Sequence, residues 1–139
     1  MVLRIRRGRT EVITSALVNS GFEAEEPQLI VPVGLAEALG LGQEGASIEG
    51  FGTAGGGRAY GYRIQESLEV ELLTEDREPI RARALITVLP GEEEVLISDR
   101  LASELGIVIL DAWRGEWCLL DELGSKRRFS APRQEWPSG

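Results

Sequence analysis

The chain has 139 residues, the length of one domain, and 42% of them are hydrophobic, so it can bury a core without covalent staples. One cysteine, Cys118, excludes an internal disulfide and a cysteine-rich zinc cluster, and the absence of histidine excludes Ser-His-Asp and Cys-His nucleophile systems. No apolar run approaches the roughly 18 residues of a membrane helix, and the start lacks a secretory signal. We therefore expect a cytoplasmic protein with no membrane partner.

The net charge of −8 is unevenly distributed along the chain. Eight of the 15 basic residues lie within residues 1–10 and 124–139, which contain one acidic residue, Glu135. Residues 11–123 consequently contain seven basic and 22 acidic side chains. Such an acidic body repels phosphate backbones, so we expect no nucleic-acid partner. We expect the two basic ends to be solvated.

The first part of the chain predicts a strand, a tight loop, a second strand and a short helix. Residues 11–18 are rich in β-branched and apolar residues and end at the turn formers Asn19-Ser20-Gly21. Residues 28–33 are a second apolar run. Residues 34–40 that follow predict two helical turns closed by a glycine.

Residues 47–64 contain six glycines among 18 residues, together with the aromatic residues Phe51, Tyr60 and Tyr62. This composition predicts a mobile glycine-rich hairpin. Residues 50–55 also match the Gly-x-Gly-x-x-Gly spacing of dinucleotide-binding loops. That motif needs a long helix after it and a parallel βαβ series around it, and neither is visible. We predict no nucleotide or other cofactor.

The second half of the chain predicts further strands and a second short helix. The segments that predict strands are residues 68–73, 80–89, 95–97, 107–110 and 117–120. Ser98 can cap a helix over residues 99–105, and Gly106 would end it. Residues 124–139 show no periodicity, so we expect a loosely held tail after a single domain of residues 1–123.

Two segments of the chain resemble each other. Leu35-Ala-Glu-Ala-Leu-Gly-Leu41 and Leu101-Ala-Ser-Glu-Leu-Gly-Ile107 share the pattern Leu-Ala-x-x-Leu-Gly-aliphatic, and each follows an apolar strand. Either the chain contains two related halves, or any short amphipathic helix with a glycine stop has this pattern by chance.

Three blocks follow one another at close intervals: Ala-Leu-Val-Asn-Ser-Gly-Phe at 16–22, Leu-Ile-Val-Pro at 29–32, and the helical segment 35–41. Their order resembles the retroviral-type, or retropepsin-like, aspartic protease family, particularly its cellular prokaryotic members. The family's later block, two apolar residues and a glycine before a short helix, corresponds to Leu96-Ile97-Ser98. The resemblance covers about residues 12–109. It implies a mostly β, retropepsin-like acid protease barrel with two short helices and a glycine-rich flap hairpin.

The resemblance also implies a site. Asn19 stands where the family has its catalytic aspartate, Ser20 matches the hydroxyl residue that braces the loop, and Gly21 lets backbones approach across a two-fold axis. Because each chain has one such loop, the family builds its peptide-binding cleft from a homodimer. The implied ligand-binding residues of the flap are Phe51, Gly52 and Tyr60.

Asparagine at this position changes the chemistry that the resemblance implies. In the family two aspartates share one proton, and one carboxylate activates water while the other protonates the carbonyl oxygen. Asn19 has neither charge nor a titrating proton, so an Asn19 pair cannot act as a general base. Ser98 in place of glycine and Arg100 in place of an acidic residue are further departures. We therefore predict a catalytically impaired homologue that binds peptide or protein segments.

Three alternatives stay open. In the first alternative, the Asn-Ser-Gly loop is an ordinary turn in an unrelated β protein. In the second alternative, the protein is an active or latent aspartic endopeptidase, either because Asn19 deamidates to aspartate or because asparagine was engineered in place of a natural aspartate. Finally, a strand followed by residues 31–41 is similar to swapped-hairpin DNA-binding regulators, although residues 11–123 lack the basic face that such proteins need.

Two further groups of residues are explained without a binding site. Carboxylates in residues 23–26 and 92–94 could bind a hard cation, but calcium-loop spacing is missing, so we predict solvated charge and no metal. Trp113 and Trp117 flank a predicted tight hairpin. On that hairpin they would share one face and form core or subunit contacts.

Overall fold

Strands account for most of the structure, a computed structural model that describes residues 1–19, 24–42, 46–52 and 57–137. The strands in these ranges are β1 (Val2–Arg7), β2 (Thr10–Val18), β3 (Gln28–Val31), β4 (Ser47–Gly52), β5 (Arg58–Leu73), β6 (Ile80–Val88), β7 (Val95–Ile97), β8 (Ile107–Asp111), β9 (Glu116–Leu119) and β10 (Arg128–Phe129). The helices are α1 (Val33–Ala38), α2 (Asp99–Glu104) and a 3-10 turn, Leu120–Glu122. None of these helices is long and apolar enough to cross a membrane.

Six strands close into a barrel. Their order is β1-β2-β7-β3-β6-β5, and β5 pairs back onto β1. The 16 residues of β5 allow it to pair with β6, with β1 and, at its start, with β4. Closure leaves no free edge in the ring, and β4 extends the sheet outside it. The predicted mostly β barrel with two short helices is confirmed.

β1 differs from the expectation of a solvated basic end. It lies between β2 and β5 and is hydrogen-bonded to both. Leu3 and Ile5 are fully buried, while Arg4 and Arg6 alternate with them and form ion pairs with Glu71. The expectation was wrong because the total charge of this segment hides its alternation of arginines with apolar residues. In a barrel strand with such alternation, the apolar side chains face the core and the charged ones face outward.

The two similar sequence segments occupy equivalent places in the barrel. β3 leads into α1 and β7 leads into α2, and β3 and β7 pair antiparallel. Ser98 caps α2 as predicted, because its Oγ accepts from the backbone N of Leu101 at 3.1 Å. Gly40 and Gly106 end the helices with φ of 71° and 73°. This arrangement is what two related halves require.

The interior of the barrel is one apolar cluster to which both helices and the C-terminal strands contribute. Its largest fully buried hydrophobic side chains are Leu3, Ile5, Leu29, Leu35, Leu39, Leu72, Ile86, Ile97, Leu101, Leu105 and Leu119. Each such side chain contributes roughly 1.5–3 kcal/mol relative to exposure. The core therefore joins the β8–β10 sheet to the barrel and holds the strands that carry the candidate site.

Residues 124–137, which have no predicted element, lie along the barrel. β10 pairs with β9, and the chain then passes β2. There Gln134 N donates to Ser15 Oγ at 2.7 Å, and Trp136 Nε1 donates to Thr14 Oγ1 at 2.9 Å. Hydrogen bonds of individual residues hold this segment in place. Such contacts produce no periodic pattern in the sequence, so the sequence predicted no element here.

Candidate functional site

Asn19 lies directly after β2, at the end of a parallel pair with β7. The pair has Leu17 opposite Leu96 and Val18 opposite Ile97. The backbone N of Asn19 donates to Ile97 O at 3.1 Å, which continues the ladder one residue beyond the strand. The backbone of Asn19 is therefore held by a buried strand. Ser20 and Gly21, the other two predicted loop residues, lie outside the described residues.

The other half of the barrel has an equivalent position. β6 pairs in parallel with β3, and the backbone N of Leu89 donates to Val31 O at 3.0 Å directly after β6. The counterpart of Asn19 in the second half is thus Leu89, an apolar residue. One chain presents one amide at this pair of positions, so a pair of Asn19 side chains requires two chains.

A row of side chains crosses the four strands between these positions. Leu17 pairs with Leu96, Leu96 with Ile30, and Ile30 with Thr87, one residue from each of β2, β7, β3 and β6. Neighbouring residues on these strands belong to the main core, so the row lies on the opposite face of the sheet. Ile30 and Leu96 form a second apolar cluster with Ala24 and Leu89 as neighbours.

The row changes from buried to exposed along its length. Thr87, Ile30 and Leu96 are buried, whereas Leu17 is 50% exposed. Leu17 is also two residues before Asn19, on the same strand. The row therefore ends in an accessible apolar surface beside Asn19, which can contact apolar side chains of a bound chain. The sequence blocks at 16–22, 29–32 and 96–98 contain Leu17, Ile30 and Leu96, but nothing in them indicates that these residues line up. The unbroken apolar runs at 28–33 and 95–97 are typical of strands buried on both faces.

The glycine-rich segment forms a hairpin, as predicted. β4 pairs antiparallel with the start of β5, and Gly50 lies opposite Tyr60. Tyr60 is 60% exposed, so its ring is accessible to a ligand. Phe51 and Gly52 lie on β4 opposite Ala59 and Arg58, and residues 53–56 between the strands lie outside the described residues.

The base of the hairpin lies beside the row. Arg63 of β5 pairs with Thr87, the last member of the row. Glycine at position 61 allows this close approach, because a Cβ there would lie 2.6 Å from the carbonyl oxygen of Val88. Along the row β7 and β3 lie between β2 and β6, so Asn19 lies near the Leu17 end and the base of the hairpin lies near the Thr87 end.

In the described residues, the titratable groups with shifted pKa values lie away from the row and the hairpin, apart from the Met1 amine, which donates to Ala16 O beside Leu17 at 3.2 Å. In the described part of the chain they are the Met1 amine, Glu71, Arg77, Asp121, Glu122 and Arg128. The described residues contain no group of three or more His, Cys, Asp or Glu side chains placed to hold a metal ion. The chemistry available along the row is apolar contact together with the amide of Asn19 and the buried hydroxyl of Thr87, which has no hydrogen-bond partner among the described residues.

Comparison with known proteins defines the class of fold. The chain is similar to the retroviral protease-like domain of Ddi1 from Leishmania major, whose crystal structure matches with a TM-score of 0.51 and 16% identity, covering 95% of this chain and 94% of that chain. No family model matches, and no curated protein matches. The likeness at this identity is one of fold. The protein has a retroviral protease-like fold, and the predicted fold class is confirmed.

Proposed function

We propose that the protein is a catalytically impaired homologue of retroviral-type aspartic proteases that binds extended peptide or protein segments in a cleft between two copies of the chain. The observation that carries the proposal is the position of Asn19, held after β2 by the carbonyl of Ile97 at the exposed end of an apolar row. In a retroviral protease-like barrel this position offers an amide beside an apolar surface.

The two halves of one barrel support a homodimer. The position after β2 holds Asn19, and its counterpart after β6 holds Leu89. A two-fold axis near the Asn19 loops would bring two equivalent polar groups together, as symmetric dimers do. A single chain cannot supply the second group from its other half.

The chemistry of the amide favours binding over cleavage. An asparagine side chain has two N–H donors and one carbonyl acceptor, so it can bond to both the carbonyl and the N–H of a peptide. It cannot remove a proton from water, because it has no basic oxygen at neutral or acidic pH. Two Asn19 side chains would thus hold a peptide backbone without attacking it.

The open edge of the sheet supports an extended ligand. β4 ends the strand order and pairs with β5 only, so its other edge is open in the described residues. An extended chain can add to such an edge through backbone hydrogen bonds, while apolar side chains contact the row. Tyr60 lies on the strand next to this edge, and in this proposal the hairpin closes over the segment as a flap.

A cleavage assay with the Asn19→Asp variant tests the proposal. Unfolded casein is incubated with wild-type protein and with the variant from pH 4 to 7. We expect the wild type to leave casein intact and the variant to cleave it at least about 100-fold faster, because the restored carboxylates supply general acid–base catalysis. The pH profile of the variant should be that of a shared-proton pair.

The controls separate the alternatives. Asn19→Ala should fold and leave casein intact, which shows that cleavage depends on the carboxylate. Intact mass of the wild-type protein checks for deamidation of Asn19. Equal cleavage by wild type and variant would show an endopeptidase and contradict impairment, whereas no cleavage by a folded, dimeric variant would contradict the cleft itself.

A further inference from the structure

Thr87 is the polar member of the row, and its hydroxyl is unsatisfied. The residue is fully buried, and its Oγ1 has no hydrogen-bond partner among the described residues. Buried hydroxyls are nearly always hydrogen-bonded, because a buried polar group without a partner destabilises the fold. Valine has the same shape and lacks this disadvantage. The hydroxyl at this position therefore calls for a role outside the stability of the free chain.

Two buried nitrogens, Arg4 Nε and Trp117 Nε1, also lack a hydrogen-bond partner among the described residues. Neither lies on a strand of the row, because Arg4 belongs to β1 and Trp117 to β9. Arg4 still donates to Glu71 through Nη1 at 3.3 Å. Trp117 is buried whereas Trp113 is 90% exposed, so the prediction that these two share one face was wrong. Of these three polar groups, the hydroxyl of Thr87 is the one within the row.

The hydroxyl lies on the face of the sheet that carries the row, beside the base of the hairpin. Thr87 pairs with Ile30 of β3 and with Arg63 of β5, so the three side chains share that face. A Cβ at Gly61 would lie 3.3 Å from Cγ2 of Thr87 and 3.3 Å from Cδ1 of Leu89. The base of the hairpin and Leu89 thus lie against Thr87. Movement of the hairpin as a flap uncovers this residue.

The twist of the barrel turns a segment bound at β4 across the row. Neighbouring strands of a sheet are rotated by about 20–25° relative to each other. β4 lies four places from β7 in the strand order, so it is turned by roughly 80–100° from that strand. A segment that pairs with the open edge of β4 therefore runs across the strands of the row and along its length.

The length of the row sets the spacing of side chains in such a segment. Leu17 and Thr87 lie on β2 and β6, with β7 and β3 between them. Three strand spacings of about 4.8 Å separate the two residues by roughly 14 Å. An extended segment advances about 3.4 Å per residue and covers this distance in about four residues. Because side chains at i, i+2 and i+4 point to the same side, one face of the segment spans the row.

We propose that Thr87 hydrogen-bonds to a hydroxyl or amide side chain of the bound segment and so determines which segments the cleft accepts. The segment carries apolar residues at i, against Leu17, and at i+2, against Leu96 and Ile30. At i+4 it carries serine, threonine or asparagine. A hydroxyl can donate to or accept from each of these, so Thr87 gains the partner that it lacks in the free chain. The inference rests on the proposed function and names its class of ligand.

Two peptides that differ in one hydroxyl test the preference. Both are labelled with fluorescein and contain the motif Leu-Lys-Leu-Lys-X, in which X is serine in one peptide and alanine in the other. Fluorescence anisotropy at pH 7 measures the Kd of each. We expect the wild type to bind the serine peptide about tenfold more tightly, because the new bond also satisfies a buried group.

Variants at position 87 separate recognition from structure. Thr87→Val should bind the two peptides within about twofold of each other, since neither can bond to valine, and Thr87→Ser should keep the preference. The urea midpoint of Thr87→Val should not fall below that of the wild type, because the free chain loses no hydrogen bond. Thr10→Val is the matched control. Thr10 is exposed at the start of β2, so this variant should keep the wild-type preference.

Four outcomes would overturn the inference. If the wild type binds both peptides equally well, the cleft stands and the role of Thr87 is wrong. If Thr87→Val keeps the preference and unfolds at lower urea, the hydroxyl is structural. If the wild type binds unfolded casein but neither peptide, the inferred spacing is wrong and the proposed function stands. If it binds neither casein nor peptide, the proposed function fails and the inference fails with it.

Discussion

Glu122 shows how a single buried charge is stabilised. Its side chain is buried, and both of its oxygens accept hydrogen bonds, from Arg128 at 2.7 and 2.9 Å and from the backbone N of Leu119 at 3.0 Å. Arg77 adds a bond of 3.2 Å. The bonds from Arg128 outweigh the effect of burial and lower the pKa of Glu122 to about 2. The carboxylate thereby links the end of β9 to β10 and to the turn after β5.

The stability of the protein should depend on the ionisation of Glu122. The pKa in the folded protein lies below the ordinary value of 4.5, so the carboxylate stabilises the fold above pH 4.5, and this contribution is lost as the pH falls towards 2. Glu122→Gln should cost about 3 kcal/mol at pH 7, because it removes the buried carboxylate that pairs with Arg128 and leaves Arg128 only the exposed Asp76. Urea unfolding at pH 7, 5 and 3 should show the difference from wild type shrinking at pH 3.

Glu104 provides the control for this prediction. It forms an exposed pair with Arg100 on α2, at 3.4 Å. Exposed pairs contribute little, so Glu104→Gln should change stability by less than about 0.5 kcal/mol. A difference between wild type and Glu122→Gln that stayed constant from pH 7 to 3 would contradict the assigned role of ionisation.

At the scale of elements, the position of the glycine-rich hairpin depends on one close contact. Gly61 lies where β5 meets β6, and a Cβ there would approach the backbone oxygen of Val88 to 2.6 Å. Gly50, on the facing strand β4, would bring a Cβ to 2.8 Å from Nη2 of Arg58, the end of a flexible side chain. A backbone carbonyl in a sheet cannot move as a side chain can. The two glycines of this hairpin therefore differ in how well each position can accommodate a Cβ atom.

Alanine at these two positions should have unequal effects. Gly61→Ala should destabilise the protein by about 1–3 kcal/mol, because overpacking forces β5 away from β6. Gly50→Ala should cost less than about 1 kcal/mol, since Arg58 can adopt another rotamer. Thermal unfolding of both variants measures the difference. Equal loss of stability would show that glycine flexibility, and not the approach to Val88, governs the hairpin.

At the scale of the whole molecule, the C-terminal segment joins parts of the barrel that are distant in sequence. Trp136 packs against the main core, its Nε1 donates to Thr14 of β2, and its backbone N donates to Glu93 O at 2.8 Å, just before β7. Arg133 forms an ion pair with Glu94 at 3.2 Å. The segment thus links β2 to the start of β7, the two strands whose other ends position Asn19.

Loss of the Trp136 contacts should weaken the barrel as a unit. Trp136→Ala removes the packing and the hydrogen bond to Thr14, which is buried, and should cost about 2–4 kcal/mol. Urea unfolding measures the loss, and Trp136→Phe should recover the packing part of it. Arg133→Ala is the control, because an exposed pair contributes less than about 1 kcal/mol. A Trp136→Ala variant as stable as wild type would show that the segment is dispensable.

Part of this architecture was predictable from short stretches of sequence. Alternation over residues 80–89 indicated β6, and the glycines at 40 and 106 indicated where both helices end. Ser98 was recognisable as a cap because its signal lies within three residues of its partner. The placement of Asn19 directly after a strand was predictable for the same reason. Each of these features depends on neighbours along the chain.

The sequence by itself determined the strand-rich composition, the helix ends and the position of Asn19 after β2. Only the tertiary structure decided the partners of β1, the row from Leu17 to Thr87, the burial of Glu122 and the docking of Trp136. The row joins residues about 70 positions apart, and its register depends on four strands at once. The physical reason is that local propensity acts over a few residues, whereas pairing and burial are set by contacts between distant segments.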